Sequence, residues 1–218
     1  MLILIPAKKN SKRLKFKNRK TLGHQPLISW TIKFAKKITN TENIVVSTNC
    51  KHIAKIAKNE NCEIPFLRPN SLSKNNTSMY DVAHHAIKEI EKIKKKDVKS
   101  ILLLQPTSPF RDVKLIKKAI IKFNKNLKTI ISASELHVKS DKLFTKRNNT
   151  LFRMNKSSKS KITLIPNGSF YLITKKNLFK YKDFYHDKMQ FVLINNFKEK
   201  IDIDYNKDFE LAKKFISF

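Results

Sequence analysis

The chain has 218 residues, 40% of them hydrophobic, which suits one α/β domain with a proper core. No apolar run is long enough to span a membrane, and the run at Met1 is too short and wrongly flanked for a signal peptide, so a cytoplasmic protein is expected. Formal charge is +30, from 47 basic and 17 acidic residues, but the lysines are spread along the chain and no nucleic-acid module is recognisable. Most of the charge therefore reads as solvated surface, with polyanion binding that fades as salt rises. Cys50 and Cys62 form neither a close-spaced metal motif nor a disulfide framework.

The chain opens on a short buried strand, Leu2-Ile3-Leu4-Ile5, followed directly by a basic loop carrying Lys8, Lys9, Lys12, Arg13, Lys15 and Lys17. In an open α/β sheet, loops at the carboxyl ends of strands form the ligand crevice. A cationic loop there suits a phosphate-bearing ligand. The alternative is a solvated basic turn. A turn at 21–26 leads to a helix over 27–37, with Ile28, Ile32 and Ala35 on one face. A second buried strand covers 44–48, a short helix 52–59, and an edge strand interrupted by Pro65 covers 63–67. After a polar loop at 70–78, the stripe Val82, Ala83, Ala86, Ile87 and Ile90 predicts a helix over 79–93. A third strand at 100–105 ends in a stiff turn, and Asp112 can cap a helix running to about Phe123. Another strand follows at 129–134.

Residues 139–161 break this rhythm and read as a hairpin or arm standing out of the sheet. Strands at 170–173, 191–194 and 201–204 and a helix at 209–215 complete the chain. Alternating strands and helices predict a mostly parallel sheet covered on both faces.

Candidate chemistry gathers at few points. Asp202 and Asp204 alternate along the last strand, so both carboxylates share a face. Adjacent carboxylates repel unless a cation sits between them, and Mg²⁺ bridging to phosphate oxygens fits that pattern. Two surface acids paired with lysines are the alternative. Gln105, Thr107 and Ser108, after a buried strand, can bind a polyhydroxylated ligand or a base edge, or form a proline-stiffened turn. Asn167-Gly168 suits a tight turn. Arg68 and Ser78 flank the polar loop and could reach a ribose or phosphate. His84 and His85 lack a second ligand cluster and read as surface or core histidines, not zinc ligands.

Together these segments resemble the N-acylneuraminate cytidylyltransferase (CMP-sialic acid synthetase) family, including CMP-legionaminic and pseudaminic acid synthetases, over nearly the whole chain. The matching pieces begin with Ile5-Pro6-Ala7-Lys8-Lys9-Asn10-Ser11-Lys12-Arg13-Leu14 and Lys17-Asn18. Leu104-Gln105-Pro106-Thr107-Ser108-Pro109-Phe110-Arg111, Pro166-Asn167-Gly168-Ser169 and Ile201-Asp202-Ile203-Asp204 follow in the same order.

The resemblance implies a Rossmann-like three-layer nucleotidyltransferase fold. It also implies one domain over 1–218 with a small protruding dimerisation arm over about 139–165, and a homodimer. It implies that a sialic-acid-like sugar attacks CTP, giving CMP-sugar and pyrophosphate, with Mg²⁺ as cofactor. Lys17, Asp202 and Asp204 then stand at catalytic positions, the two acids also as metal ligands. Ala7, Lys8, Ser11, Lys12 and Asn18, joined by Arg68 and Ser78, stand at nucleotide-binding positions. Gln105, Thr107, Ser108, Asn167 and Lys142, the last in the arm, stand at substrate-binding positions. This sequence carries Lys8 where the family usually has Arg, Asn10 for Gly, and Asn49 and Asn75 where acids are common. The rival readings are another sugar or alditol nucleotidyltransferase of the same fold, a basic nucleic-acid-binding protein, and an inactive homologue that binds nucleotide without turnover.

Overall fold

The computed structural model describes residues 1–136, 138, 143–148, 150–153 and 163–216. Strand β1 (Leu2–Pro6) is buried on both faces, so its sequence is a continuous apolar run instead of an alternating one. The small ladder β2 (Thr21–Leu22) with β3 (Gln25–Pro26) precedes helix α1 (Leu27–Lys36). Strand β4 (Ile44–Ser47), helix α2 (Lys51–Asn59), helix α3 (Met79–Lys94) and strand β5 (Ser100–Leu103) follow. Helix α4 (Val113–Asn126) is capped by Asp112, whose carboxylate accepts from the Lys114 and Leu115 N–H groups. Strand β6 (Ile130–Leu136), the hairpin β7 (Phe144–Arg147) and β8 (Thr150–Arg153), and the long strand β9 (Thr163–Thr174) come next. Helix α5 (Lys175–Tyr181), strand β10 (Gln190–Leu193) and helix α6 (Asn206–Lys214) end the chain.

The main sheet has the order β10-β6-β9-β5-β1-β4. Strand β1 pairs in parallel with β4 and β5, and β6 with β10, whereas β9 runs antiparallel to both its neighbours. Successive residues of β1 face opposite sides. Ile3 and Ile5 pack under α1, α2 and α4, and Leu2 and Leu4 pack under α3 and α5. A third apolar cluster docks α6: Phe209 and Ala212 meet Leu14, Leu22, Leu27 and Phe110, together with Ile201 and Ile203.

Three expectations change. Residues 63–67 carry no strand: Pro65 lacks a ladder donor, and a backbone bond follows at the Arg68 N–H, to the Thr48 carbonyl at 2.8 Å. Residues 201–204 are an extended segment outside any sheet, held by the Ile203 N–H to the Thr107 carbonyl at 2.7 Å. Asn167-Gly168 is not a turn between elements. It lies inside β9, in a bulge where the pairing jumps from Ile131–Tyr171 to Ala133–Pro166. Gly168 adopts φ +76°, which a side chain would resist. Ser132 satisfies the bulge, accepting from the Phe170 N–H at 3.0 Å and donating to its carbonyl at 3.2 Å. Within the stretch expected to form the arm, the described residues include β7 and β8, which pair with each other as a separate two-stranded ladder.

Candidate active site

A cleft of about 750 Å³ opens at the carboxyl ends of β1 and β5. Its first wall is the basic loop. Phe16 takes φ 55°, an uncommon left-handed conformation for a bulky residue, and turns the chain into a short 3₁₀ segment, Lys17–Arg19. That turn buries Lys17 and Asn18. The Asn18 amide donates to the Lys8 carbonyl at 3.0 Å, pinning the two ends of the loop together. Lys8, Ser11, Lys12 and Lys17 all line the cleft.

The opposite wall is the segment after Phe197. Lys17 Nζ donates to Asp204 Oδ1 at 2.8 Å and to the Ile203 carbonyl at 2.7 Å. Arg13 Nη2 reaches Asp204 Oδ2 at 2.8 Å. Residues almost two hundred positions apart therefore meet over one cleft, because the third apolar cluster anchors Ile201 and Ile203 beneath Leu14.

Electrostatics mark the cleft as an anion site. Lys8 has its ammonium pushed below the usual lysine range, first by burial and then by the nearby charges of Arg68, Lys17 and Arg13. Crowded cations repel, and a phosphate chain would relieve that repulsion. Arg68, buried beside Ser73, is lowered to about 10 by desolvation. Lys8 Nζ donates to Asn75 Oδ1 at 3.0 Å, and Asn49 Oδ1 accepts from the Lys9 N–H at 2.8 Å. The amides that replace acids hold the loop by hydrogen bonds without neutralising its charge.

The far end of the cleft is built by a β-turn. The Ser108 N–H closes on the Gln105 carbonyl at 3.2 Å, with Pro106 pre-setting the second position. Gln105 and Thr107 line the cleft. Gly168 faces this turn: a Cβ on it would lie 3.2 Å from Gln105 Oε1, 3.5 Å from Ser108 Oγ and 3.7 Å from Asp202 Oδ2. The Ser108 hydroxyl is buried with no partner among the described residues. Asp202 is exposed as a residue, with its carboxyl turned toward Gly168. Desolvation raises its pKa, a hydrogen bond with Thr107 opposes that, and Asp204 adds to it.

No group of three or more His, Cys, Asp or Glu side chains could hold a metal among the described residues. That donor set excludes an all-protein cage but suits Mg²⁺, which needs only one or two carboxylates when phosphates and water complete its shell. Asp202, with no ion-pair partner among the described residues, and Asp204 would hold it.

Several of the sequence-assigned residues also serve the fold. Ala7 is buried, with its N–H donating to the Ser47 carbonyl at 2.9 Å, and the adjacent Pro6 lines the cleft. Ser78 is the N-cap of α3, accepting from the Asp81 N–H at 3.0 Å, and lies between Thr77 and Met79, which line the cleft. Asn167 steadies the bulge, donating to Ser134 Oγ at 2.9 Å and accepting from the Ser169 N–H at 3.2 Å. Lys142 lies outside the described residues. Sequence reasoning missed Arg13 as the second partner of Asp204, and Arg111 behind the Gln105 turn. In so lysine-rich a chain, single cations carry little signal.

The profile of the cytidylyltransferase family matches residues 2–217. The chain is 35% identical to the CMP-N,N'-diacetyllegionaminic acid synthase of Legionella pneumophila, with 99% of this chain and 96% of that protein covered. It is 27% identical to the N-acylneuraminate cytidylyltransferase of Escherichia coli, covering 97% of this chain but 51% of that longer protein. Among solved structures, a CMP:2-keto-3-deoxy-manno-octonic acid synthetase complexed with CTP superimposes with a TM-score of 0.71 over 99% of this chain and 98% of that one. At 12% identity, that likeness speaks to the nucleotidyltransferase fold alone. A cation-lined cleft at the sheet's carboxyl edge and a profile spanning the described core agree: the chain belongs to the cytidylyltransferase family.

Proposed function

We propose that this protein transfers CMP from CTP to a nonulosonic acid, releasing pyrophosphate. The observation that carries the reading is the Lys17–Asp204 contact, which joins the phosphate-suited loop to the acidic segment across one cleft. The triphosphate lies along Lys8, Ser11, Lys12 and Lys17, with Arg68 beside it. The sugar acid enters at Gln105, Thr107 and Ser108, and its anomeric hydroxyl attacks the α-phosphorus. Charge builds on the leaving pyrophosphate, and fixed cations stabilise it in a partly desolvated site. Mg²⁺ held by Asp202 and Asp204 would lower the hydroxyl's pKa and orient the α-phosphate. The 35% identity and near-complete mutual coverage with the Legionella protein favour a sugar of the legionaminic type. A cytoplasmic homodimer using the arm at about 139–165 fits the same reading. No helix among the described residues is long and apolar enough to cross a membrane.

Pyrophosphate release tests the reading, measured with CTP, UTP, ATP and GTP against a panel of nonulosonic acids and 3-deoxy-manno-octulosonic acid. CTP-specific release that depends on a nonulosonic acid is expected. Release from another nucleotide with a different acceptor would assign the chain to another nucleotidyltransferase class. Tight, salt-sensitive oligonucleotide binding without release would favour the nucleic-acid reading.

A further inference from the structure

We propose that Arg111 is a positioning residue that sets the width of the sugar-acid end of the cleft, an inference that rests on the reading above. Arg111 does not line the cleft. Its guanidinium sits behind it and ties three segments together. Nε donates to the Ser169 carbonyl at 2.8 Å, Nη2 to the Gln105 carbonyl at 2.5 Å, and Nη1 to Thr31 Oγ1 at 3.2 Å. The first carbonyl belongs to the β9 bulge and the second to the β-turn after β5. These two segments face each other at Gly168, where Gln105 Oε1 and Ser108 Oγ converge.

The third contact anchors the fork to α1, and α1 also supplies Phe34, whose ring centroid lies 5.7 Å from the guanidinium carbon. The guanidinium makes no ion pair among the described residues. The Asp202 carboxylate favours its charged form from nearby, and a lysine would keep that charge; what only arginine supplies is the planar fork, which points donors in fixed directions at two carbonyls and a hydroxyl. An ammonium on the same stem offers three donors from one point and cannot hold that plane. The basic loop that would take the triphosphate hangs on other contacts, through Asn18, Asn49 and Asn75. Disturbing Arg111 therefore loosens the acceptor end and spares the nucleotide end.

The test is steady-state kinetics of Arg111→Lys and Thr31→Val beside the wild type, with each substrate varied in turn. Arg111→Lys should raise KM for the sugar acid by about tenfold or more while KM for CTP stays within about twofold. Thr31→Val removes one acceptor from a buried site and should move the same parameter in the same direction by about two- to fivefold. It settles the matter if the lysine variant does not fold. Parallel rises in both KM values, or no change in either, would overturn the proposal. A wild type that does not use CTP would instead refute the parent reading, so the two failures are distinguishable.

Discussion

At the residue scale the two acids are not equivalent. Asp204 has both carboxylate oxygens paired with cations, one of them the buried Lys17. Asp202 makes no ion pair among the described residues, and burial holds its pKa above the usual range. Neutralising each acid should therefore shift stability by different amounts. Asp204→Asn strips Lys17 of its counter-charge and lowers Tm by a few degrees, the amide oxygen still accepting from Nζ. Asp202→Asn, at an exposed residue with no ion pair among the described residues, should leave Tm of the metal-free protein within about a degree. Both should cut turnover by about a hundredfold or more, because both face the reacting end. Thermal melts paired with turnover assays check this. Equal Tm shifts would show that the two acids sit in like environments, and an active Asp204→Asn would remove that acid from the mechanism.

At the element scale, α3 carries a pH response of its own. His85 packs its ring edge-on to Phe66 at 5.2 Å, with a buried Nδ1 that finds no partner among the described residues. Burial pushes its pKa below 6.5, with Arg68 and His84 adding to the effect and Glu89 opposing it. With the folded value below the unfolded one, the unfolded chain binds more protons between them. Stability from this group is intact above the unfolded value and is lost as pH falls through that window. His85→Leu should flatten the decline of Tm between about pH 7.5 and 5.5, ahead of carboxylate titration. An unchanged slope would mean that this imidazole titrates freely.

The helices with clear apolar stripes, α1, α3 and α4, were legible because 3.6-residue periodicity survives any lysine content. Helix α5 was not, since seven residues with only Leu178 buried leave no stripe to read. Strand β9 was read too short. Pro166, Asn167 and Gly168 are turn formers, and only pairing with β6 makes them a bulge within a strand. The site followed the same pattern. The meeting of Lys17 with Asp204 agreed with the family resemblance. The service of Ser78 and Asn167 as cap and bulge support depends on local geometry that spacing does not reveal.

At the scale of the whole molecule, the fold acts as a clamp with its jaws at the two ends of the chain. Parallel pairing of β1 with β4 and β5 brings the basic loop, Arg68 and the Gln105 turn to one edge of the sheet. Packing of α6 then closes the acidic segment onto them. The excess of positive charge is spread widely. What distinguishes the cleft is the crowding of Lys8, Arg13, Lys17 and Arg68 at one site, an arrangement suited to a phosphate chain. The most direct measurement is a crystal structure of the protein with CTP and Mn²⁺, phased for anomalous signal. The account predicts a triphosphate against Lys8, Lys12 and Lys17, with the anomalous peak at coordination distance, about 2.1 Å, from Asp202 or Asp204. Nucleotide bound elsewhere, or a metal distant from both carboxylates, would contradict it.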